Sequence, residues 1–573
     1  MSDLARTLRE RLQPGFDALE PGADPVIRAS DRADYQANGV MALAKRLGRP
    51  PREVAEAIAG AVDLAGVGTL EVAGPGFLNL TLDDGYIAAS IEALGGDERL
   101  GVAVTGTAHR VALDYSAPNV AKEMHVGHLR GTVIGDALAR ILRFFGHDVV
   151  ARHHIGDWGT NFGMLVEYLC EIGEDAATSE LSVGDLDGFY KAARAKFDSD
   201  VDFAERSRKR VVALQSGDPE ALRLWQVLVD VSMRSFDRVY QLLGVVLRPE
   251  DVVGESWYNP MLEDVVADLD AAGLLVESDG AQCVFPEGFT NREGDPLPVI
   301  VRKRDGGFGY SATDLAALRD RVETLGCDRL LYVVGATQAQ HLEMIFAVAR
   351  MAGWLPDNVI AEHIAFGNVL GADHKLLRSR SGEALKLADL LIEAVQRAAA
   401  ALDERESTYS PDERAHLAEA IGIGAVKYAD LSTERLRDYV FDWDRMLSLD
   451  GDTGPYLAYA HARIRSIFRR LGRDSPLPGA AVSLREPHER ALAFELLRFG
   501  ESLDATLEWF APHRLCTYLF GIAQSFTAFY ESCPVLRAPD DATRESRLVL
   551  CETTARTLAL GLSLLGIQAP DRM

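Results

Sequence analysis

The feature that most limits how this chain can fold is the run from Asp114 to His128, DYSAPNVAKEMHVGH. Ahead of it, residues 110–114 alternate into a short apolar strand. Behind it, Leu129, Val133, Ile134, Leu138, Ile141, Leu142 and Phe145 recur at helical spacing as far as Gly146. The stretch predicts a strand, a Pro-Asn turn and a helix whose first turn carries His125 and His128. In an open α/β sheet, ligands bind beyond the carboxyl ends of the strands, and a helix start offers free N–H groups to phosphate. Two imidazoles three residues apart fall on one side of that turn, aimed at one anion. Metal ligation is an alternative, but zinc needs a third or fourth ligand and none stands at a recognisable spacing, so no metal site is predicted. Burial in the core is the default for lone histidines; these two stand together at a helix start.

The rest of the chain is arranged around that unit. Residues 1–108 form a first α+β domain, with helices over 3–19, 36–47 and 52–62. Residues 70–82, LEVAGPGFLNLTL, read as two strands joined at Gly74-Pro75-Gly76. Residues 109–395 continue with a second strand over 148–155, the turn Gly156-Asp157-Trp158-Gly159 and a helix over 161–172. A charged helical stretch at about 185–247 is an insertion. Strand signals at 281–285, 299–302 and 329–334 then alternate with helices at 313–325 and 338–352. That alternation predicts a Rossmann-like, doubly wound parallel sheet. From about residue 385 strand signals vanish, and periodic runs over 492–507, 512–530 and 544–565 predict an all-α region spanning 396–573.

A length of 573 residues suits three or four domains. No apolar run of 18 residues is present, which argues against a membrane span, and the first residues are amphipathic (Leu4, Leu8, Leu12), unlike a secretory signal. The 6 cysteines are scattered without a C-x-x-C pair, which argues against a zinc ribbon or a disulfide framework. A cytoplasmic location is expected. The net charge of −26 argues against non-specific nucleic-acid binding, yet RNA contact needs only a local basic face. Two candidates are Arg463, Arg465, Arg469, Arg470 and Arg473 along one helix, and Arg206-Ser207-Arg208-Lys209-Arg210. A solvated helix face is the alternative for both.

His125-Val126-Gly127-His128 resembles the HIGH signature of class I aminoacyl-tRNA synthetases. The longer string from Ser116 to His128, with Gly156-Asp157-Trp158-Gly159, is similar to the arginyl-tRNA synthetases of bacterial type. Asp442 to Leu447 and Thr453 to Ala460 resemble that family's entry into its anticodon-binding bundle, about 453–573, so the likeness runs nearly end to end. The resemblance implies a two-step reaction. The arginine carboxylate attacks the α-phosphorus of ATP, which enters with Mg²⁺ and without zinc, and a ribose hydroxyl of tRNA(Arg) then takes the arginyl group. It implies nucleotide contacts from Pro118, Asn119, His125, Gly127, His128 and Arg378, and catalytic roles for Lys122, His125 and His128. It places arginine against Ser116, Asn119, His153, Glu255, Tyr310, Asp314 and Gln338, where carboxylates in the plane of the guanidinium meet its fork of donors. Without the resemblance, Glu255 and Asp314 read as acids at helix starts.

Gly74 to Leu80, GPGFLNL, resembles the family's extra N-terminal domain, which implies tRNA contacts from Phe77 by stacking and Asn79 by hydrogen bonds; a buried strand Phe and a turn-end Asn are the alternative. Arg463 and Arg469 complete the implied tRNA set. Two departures stand out. His153 occupies a position where the family usually has Asn at the substrate's α-amino end. The KMSKS loop is reduced to residues 374–382, HKLLRSRSG, with Arg in place of the second lysine, and Lys122 stands ahead of the first histidine as in many arginyl enzymes. A monomer is expected. Two other functions stay open. A cysteinyl enzyme would need a Cys/His cluster that the sequence lacks. A catalytically dead RNA-binding paralogue would be favoured by loss of His125, His128 or Lys122, and all three are present.

Overall fold

In the computed structural model, residues 3–173, 186–378, 384–403 and 409–573 are described. The chain divides into two units, Met1–Val104 with Ser448–Met573, and Thr105–Leu447.

The first unit joins the two ends of the chain. Its antiparallel sheet contains β1 (Ile27–Ala29), β2 (Tyr35–Ala37), β3 (Gly68–Ala73) and β4 (Phe77–Leu82) in the order β1-β2-β4-β3. The period of two along β4 buries Leu78, Leu80 and Leu82 and turns Phe77, Asn79 and Thr81 to the other face, where Asn79 lies level with Gln36 and Glu71. Residues 35–37 thus belong to a strand, and the helix expected from residue 36 begins at Gly39. Helices Gly454–Arg470, Pro487–Leu497, Phe499–Glu508, Pro512–Ser532 and Asp541–Leu564 make the C-terminal part. Arg490 of that part donates to both Asp34 oxygens at 3.0 and 2.7 Å and to Asp84 at 2.7 Å. Arg556 donates to the carbonyls of Leu94 (2.9 Å) and Gly95 (3.1 Å), orphan acceptors at the end of the Asp84–Leu94 helix. The regions expected as 1–108 and 453–573 therefore share one unit.

The second unit is built on a parallel sheet of β5 (Arg110–Tyr115), β6 (Asp148–Arg152), β10 (Arg329–Val333) and β11 (Ile360–His363), in the order β11-β10-β5-β6. The strand order reverses between β5 and β10, which opens a crevice at their carboxyl ends. Val111 to Tyr115 are all buried, as expected of a strand covered on both faces. The Gly127–Phe144 helix packs directly on β5; a Cβ at Gly135 would lie 2.3 Å from the Tyr115 ring, so only glycine permits the approach.

Two of the three later strand signals do not join this sheet. β7 (Val276–Ser278), β8 (Ala281–Val284) and β9 (Val299–Arg302) form a separate antiparallel sheet. The Asp279-Gly280 turn, with φ angles of 52° and 78°, joins β7 to β8 as a two-residue hairpin, and β9 adds to the other edge of β8 after residues 285–298. The insertion consists of helices Leu186–Ser199, Val201–Gln215 and Pro219–Leu243; residues 174–185, which include its expected start, lie outside the described residues. Helices Leu387–Asp403 and Pro411–Leu431 belong to this second unit, so it runs past the expected boundary at 395. β12 (Val369–Leu370) pairs with β13 (Tyr439–Val440), a short strand in the region where the sequence showed none.

Candidate active site

Beyond the strand ends, the backbone holds three segments side by side. Asn119 pairs with Gly156 and His153 with Val252, both in parallel; Glu255 N–H donates to Ile155 O at 3.1 Å. A Cβ at Gly156 would lie 2.2 Å from Asn119 Oδ1, so the asparagine side chain rests against that glycine. Pro118 is buried beneath this junction, and Asn119 is exposed at it.

The helix begins at Gly127, which leaves His128 in its first turn and His125 just ahead of it. Their rings lie 4.1 Å apart. The amides here are not free. Val126 N–H donates to Leu385 O (2.9 Å), His128 N–H to His125 O (2.8 Å) and Leu129 N–H to Val126 O (3.1 Å). Gly127 N–H donates to His125 Nδ1 at 3.1 Å, so the proton of neutral His125 sits on Nε2. The expectation of open helix N–H groups is corrected: the donors left for an anion are imidazoles. Burial, reinforced by the neighbouring His125, lowers the His128 pKa to about 4. Desolvation lowers that of His125, opposed by Asp187 and assisted by Lys122. Both rings are neutral at pH 7.

Ser116 and His153 are buried in a hydrogen-bonded series behind this turn. Thr132 Oγ1 donates to His128 O at 2.7 Å and stands 2.7 Å from Ser116 Oγ; Tyr240 OH lies 2.8 Å from Ser116 Oγ and 2.8 Å from His153 Nε2. Each hydroxyl has one proton. Thr132 spends its own on the carbonyl, so Ser116 donates to Thr132, Tyr240 to Ser116, and His153 Nε2–H to Tyr240. His153 is therefore held as one tautomer with a bare Nδ1, and burial lowers its pKa to about 3. The Ser116 hydroxyl is committed to this series and sits behind the crevice.

The other side is acidic. Half-buried Glu255 opens the short Glu255–Met261 helix, and burial, with Asp314 and Asp157 adding repulsion, raises its pKa to about 7. Asp157 accepts from Ser256 N–H (2.8 Å) and Oγ–H (2.6 Å), which fixes the turn that carries Glu255. Asp314 lies 2.6 Å from His341 Nε2, and the His341 ring lies 5.0 Å from that of Tyr310, which is 70% exposed. Gln338, in the turn after β10, is exposed. Half-buried Lys122 holds its Nζ 4.7 Å from the centre of the Tyr190 ring. Arg378 is exposed and bridges to Ala384; Arg380 and the rest of 379–383 lie outside the described residues.

Residues 91–443 match the family described as tRNA synthetases class I (R), catalytic domain; residues 457–573 match a DALR anticodon binding domain and residues 2–82 an arginyl tRNA synthetase N terminal domain. An arginine–tRNA ligase of Thermobifida fusca (strain YX) is 55% identical over 571 residues, 100% of this chain and 99% of that protein. This chain belongs to the class I arginyl-tRNA synthetases. An arginine–tRNA ligase of Frankia casuarinae is 50% identical over 561 residues, 96% of this chain and 95% of that one. The arginyl-tRNA synthetase of Plasmodium falciparum superposes with a TM-score of 0.86 at 29% identity, covering 100% of both chains. That of Thermus thermophilus gives 0.81 at 25% identity, over 99% of this chain and 100% of that one.

Among the other sequence-predicted residues of this arginyl-tRNA synthetase, Phe77 and Asn79 lie on the outer face of β4, where Asn79 Oδ1 accepts from Gln36 at 2.8 Å. Arg463 covers the Tyr530 ring at 4.5 Å, and Arg469 donates to Asp571 O at 2.7 Å. The run at 206–210 is largely neutralised: Arg206 and Arg210 pair with Glu167, and Lys209 with Glu205. Sequence reasoning missed Tyr240, His341 and Tyr190 as partners in the site. They come from distant segments, and no local spacing marks them.

Proposed function

We propose that the crevice at the carboxyl ends of β5 and β10 is where this synthetase carries out both steps of its reaction. That reaction is ATP-dependent ligation of L-arginine to the 3′ end of its tRNA through an arginyl-adenylate, with release of AMP and pyrophosphate. In the first step the arginine carboxylate forms a bond to the α-phosphorus and the bond to the pyrophosphate leaving group breaks. Positioning and charge stabilisation carry such a transfer. Neutral His125 and His128 donate to phosphate oxygens as charge develops, and Pro118, Asn119 and Gly127 shape the nucleotide side. Lys122 meets the leaving pyrophosphate with Arg378 as a second cation. ATP enters as its Mg²⁺ complex, the ion bound through phosphates.

Support for arginine as the amino acid comes from one observation: two carboxylates stand on this side, Glu255, whose pKa burial raises to about 7, and Asp314, whose repulsion adds to that rise. A guanidinium stays charged up to pH 12 or beyond, so it draws Glu255 into its ionised form and satisfies both acids. Tyr310 packs on the aliphatic stem, Gln338 closes the site, and His153 offers its bare Nδ1 toward the α-amino end, with Ser116 acting behind it. Phe77 and Asn79, with Arg463 and Arg469, contact tRNA(Arg). The protein works as a cytoplasmic monomer; among the described residues no helix is long and apolar enough to cross a membrane.

Charging of total tRNA by the purified protein, with each amino acid in turn, tests this reading. Arginine alone is expected to be accepted, with lysine and citrulline disfavoured by roughly 10⁴–10⁵, the discrimination typical when a buried polar site loses its partner. Equal charging with another amino acid overturns it.

A further inference from the structure

We propose that Tyr190, on the first helix of the insertion, is a positioning residue that sets Lys122 for the activation step, an inference resting on the reading of Lys122 as the charge that meets pyrophosphate. On helix Leu186–Ser199, Asp187 and Tyr190 are three residues apart and fall on one face. Asp187 Oδ1 accepts the Glu123 N–H at 3.2 Å, and the Tyr190 ring sits under the Lys122 ammonium at 4.7 Å. The helix is itself fixed, because Phe189 is buried and meets Tyr168 edge to face at 5.2 Å. On the other side, Glu123 pairs with Lys386 at 2.8 Å. The Lys122-Glu123 turn is thus gripped from both flanks.

The chemistry of the partner matters. A carboxylate beside Lys122 would cancel its charge and occupy its N–H donors. An aromatic face attracts the ammonium through the ring quadrupole, narrows the rotamers of a flexible four-carbon stem, and leaves the positive charge for phosphate. Tyr190 therefore orients the lysine without neutralising it. The insertion then has a share in catalysis through one ring.

Arginine-dependent ATP–pyrophosphate exchange with saturating tRNA, on the full chain, tests the proposal. Tyr190→Leu is expected to lower kcat about five- to tenfold, the rate equivalent of a partly desolvated cation–π contact, with KM for arginine and Tm unchanged. Tyr190→Phe, which keeps the ring, is expected to stay near wild type. In a Lys122→Ala background, Tyr190→Leu is expected to cost nothing further. Should the leucine variant fail to fold, Tyr190→Met carries the same comparisons. A slow Lys122→Ala enzyme beside a Tyr190→Leu enzyme at wild-type rate overturns the role of Tyr190 alone. A Lys122→Ala enzyme within a few-fold of wild type overturns the reading of Lys122, and this inference with it. A loss in Tyr190→Phe equal to that in Tyr190→Leu, or additivity with Lys122→Ala, marks Tyr190 as merely structural and overturns the proposal.

Discussion

The two sides of the crevice solve opposite electrostatic problems. On the nucleotide side the groups at the helix start are neutral: both imidazoles have lowered pKa values, the surrounding amides are bonded within the protein, and the proposed positive charge comes from Lys122 and Arg378 at its edge. On the arginine side one carboxyl, Glu255, resists ionising, because burial, with Asp314 and Asp157 adding repulsion, raises its pKa to about 7. A polyanionic ligand needs donors that survive desolvation, and neutral N–H groups do so cheaply. A cationic ligand needs charge that becomes tolerable only once it binds. The proposed nucleotide side is consequently preset, whereas the proposed arginine side is completed by its ligand.

That contrast breaks first at Glu255. Glu255→Gln is expected to lower kcat/KM for arginine by about 10³, mostly through KM, because it leaves a buried guanidinium short of a charged acceptor. Arginine titration in the exchange assay checks it; a change below tenfold would mean that the guanidinium binds elsewhere. His128→Ala is expected to act on the opposite parameter, lowering kcat by about 10² with little change in KM, as removal of one preorganised donor does. A rise in the KM for ATP at constant kcat would make His128 a ground-state ligand.

Acidity sharpens the comparison without any substitution. Below pH 7 the Glu255 carboxyl is protonated and a poor partner for a cation, so kcat/KM for arginine should rise about tenfold between pH 6 and 8 and then level off. His128, with its pKa lowered to about 4, stays neutral over that range and should add no slope of its own. The same shift acts on stability with the other sign. The folded state holds the Glu255 proton more tightly than the ordinary carboxyl of pKa 4.5, so this contribution is full below that value and is lost as pH rises through about 7. A pH–rate profile of wild type against Glu255→Gln checks the assignment, since the rise should vanish in the variant. The smallest effect is expected at Asn79. Asn79→Ala should raise the KM for tRNA a few-fold, leaving Tm and the exchange rate intact; an equal fall in Tm would return Asn79 to a structural role.

The two sides also differ in how far the sequence reveals them. The nucleotide side is one continuous stretch, so strand, turn, helix and both histidines can be read from local periodicity. The misreading there was of the amides, because their partners are partly remote: Leu385, which takes the Val126 N–H, lies far along the chain. The arginine side is assembled from the turn at Glu255, the helix carrying Asp314 and the next helix carrying His341. Nothing within a window of a dozen residues marks an acid in one as the neighbour of an acid in another; only the resemblance joined Glu255 to Asp314, and His341 escaped even that. The same limit explains the strands β8 and β9. Their composition is right for a sheet, but their partners are not marked locally: β8 pairs with β7 across the Asp279-Gly280 turn and with β9 across residues 285–298.

The clasp of Arg490 and Arg556 on the N-terminal segment has a consequence for biosynthesis. Residues up to Val104 leave the ribosome before Thr105–Leu447, yet the helices bearing their arginine partners are made only after the whole of that stretch. At about 5–20 residues per second, the early segment waits roughly tens of seconds for its mate, while the intervening unit can fold on its own contacts. Asp34 and the Leu94 carbonyl spend that interval in water. The protein is in this sense closed like a buckle, its earlier-made piece locked only when the later one has been translated.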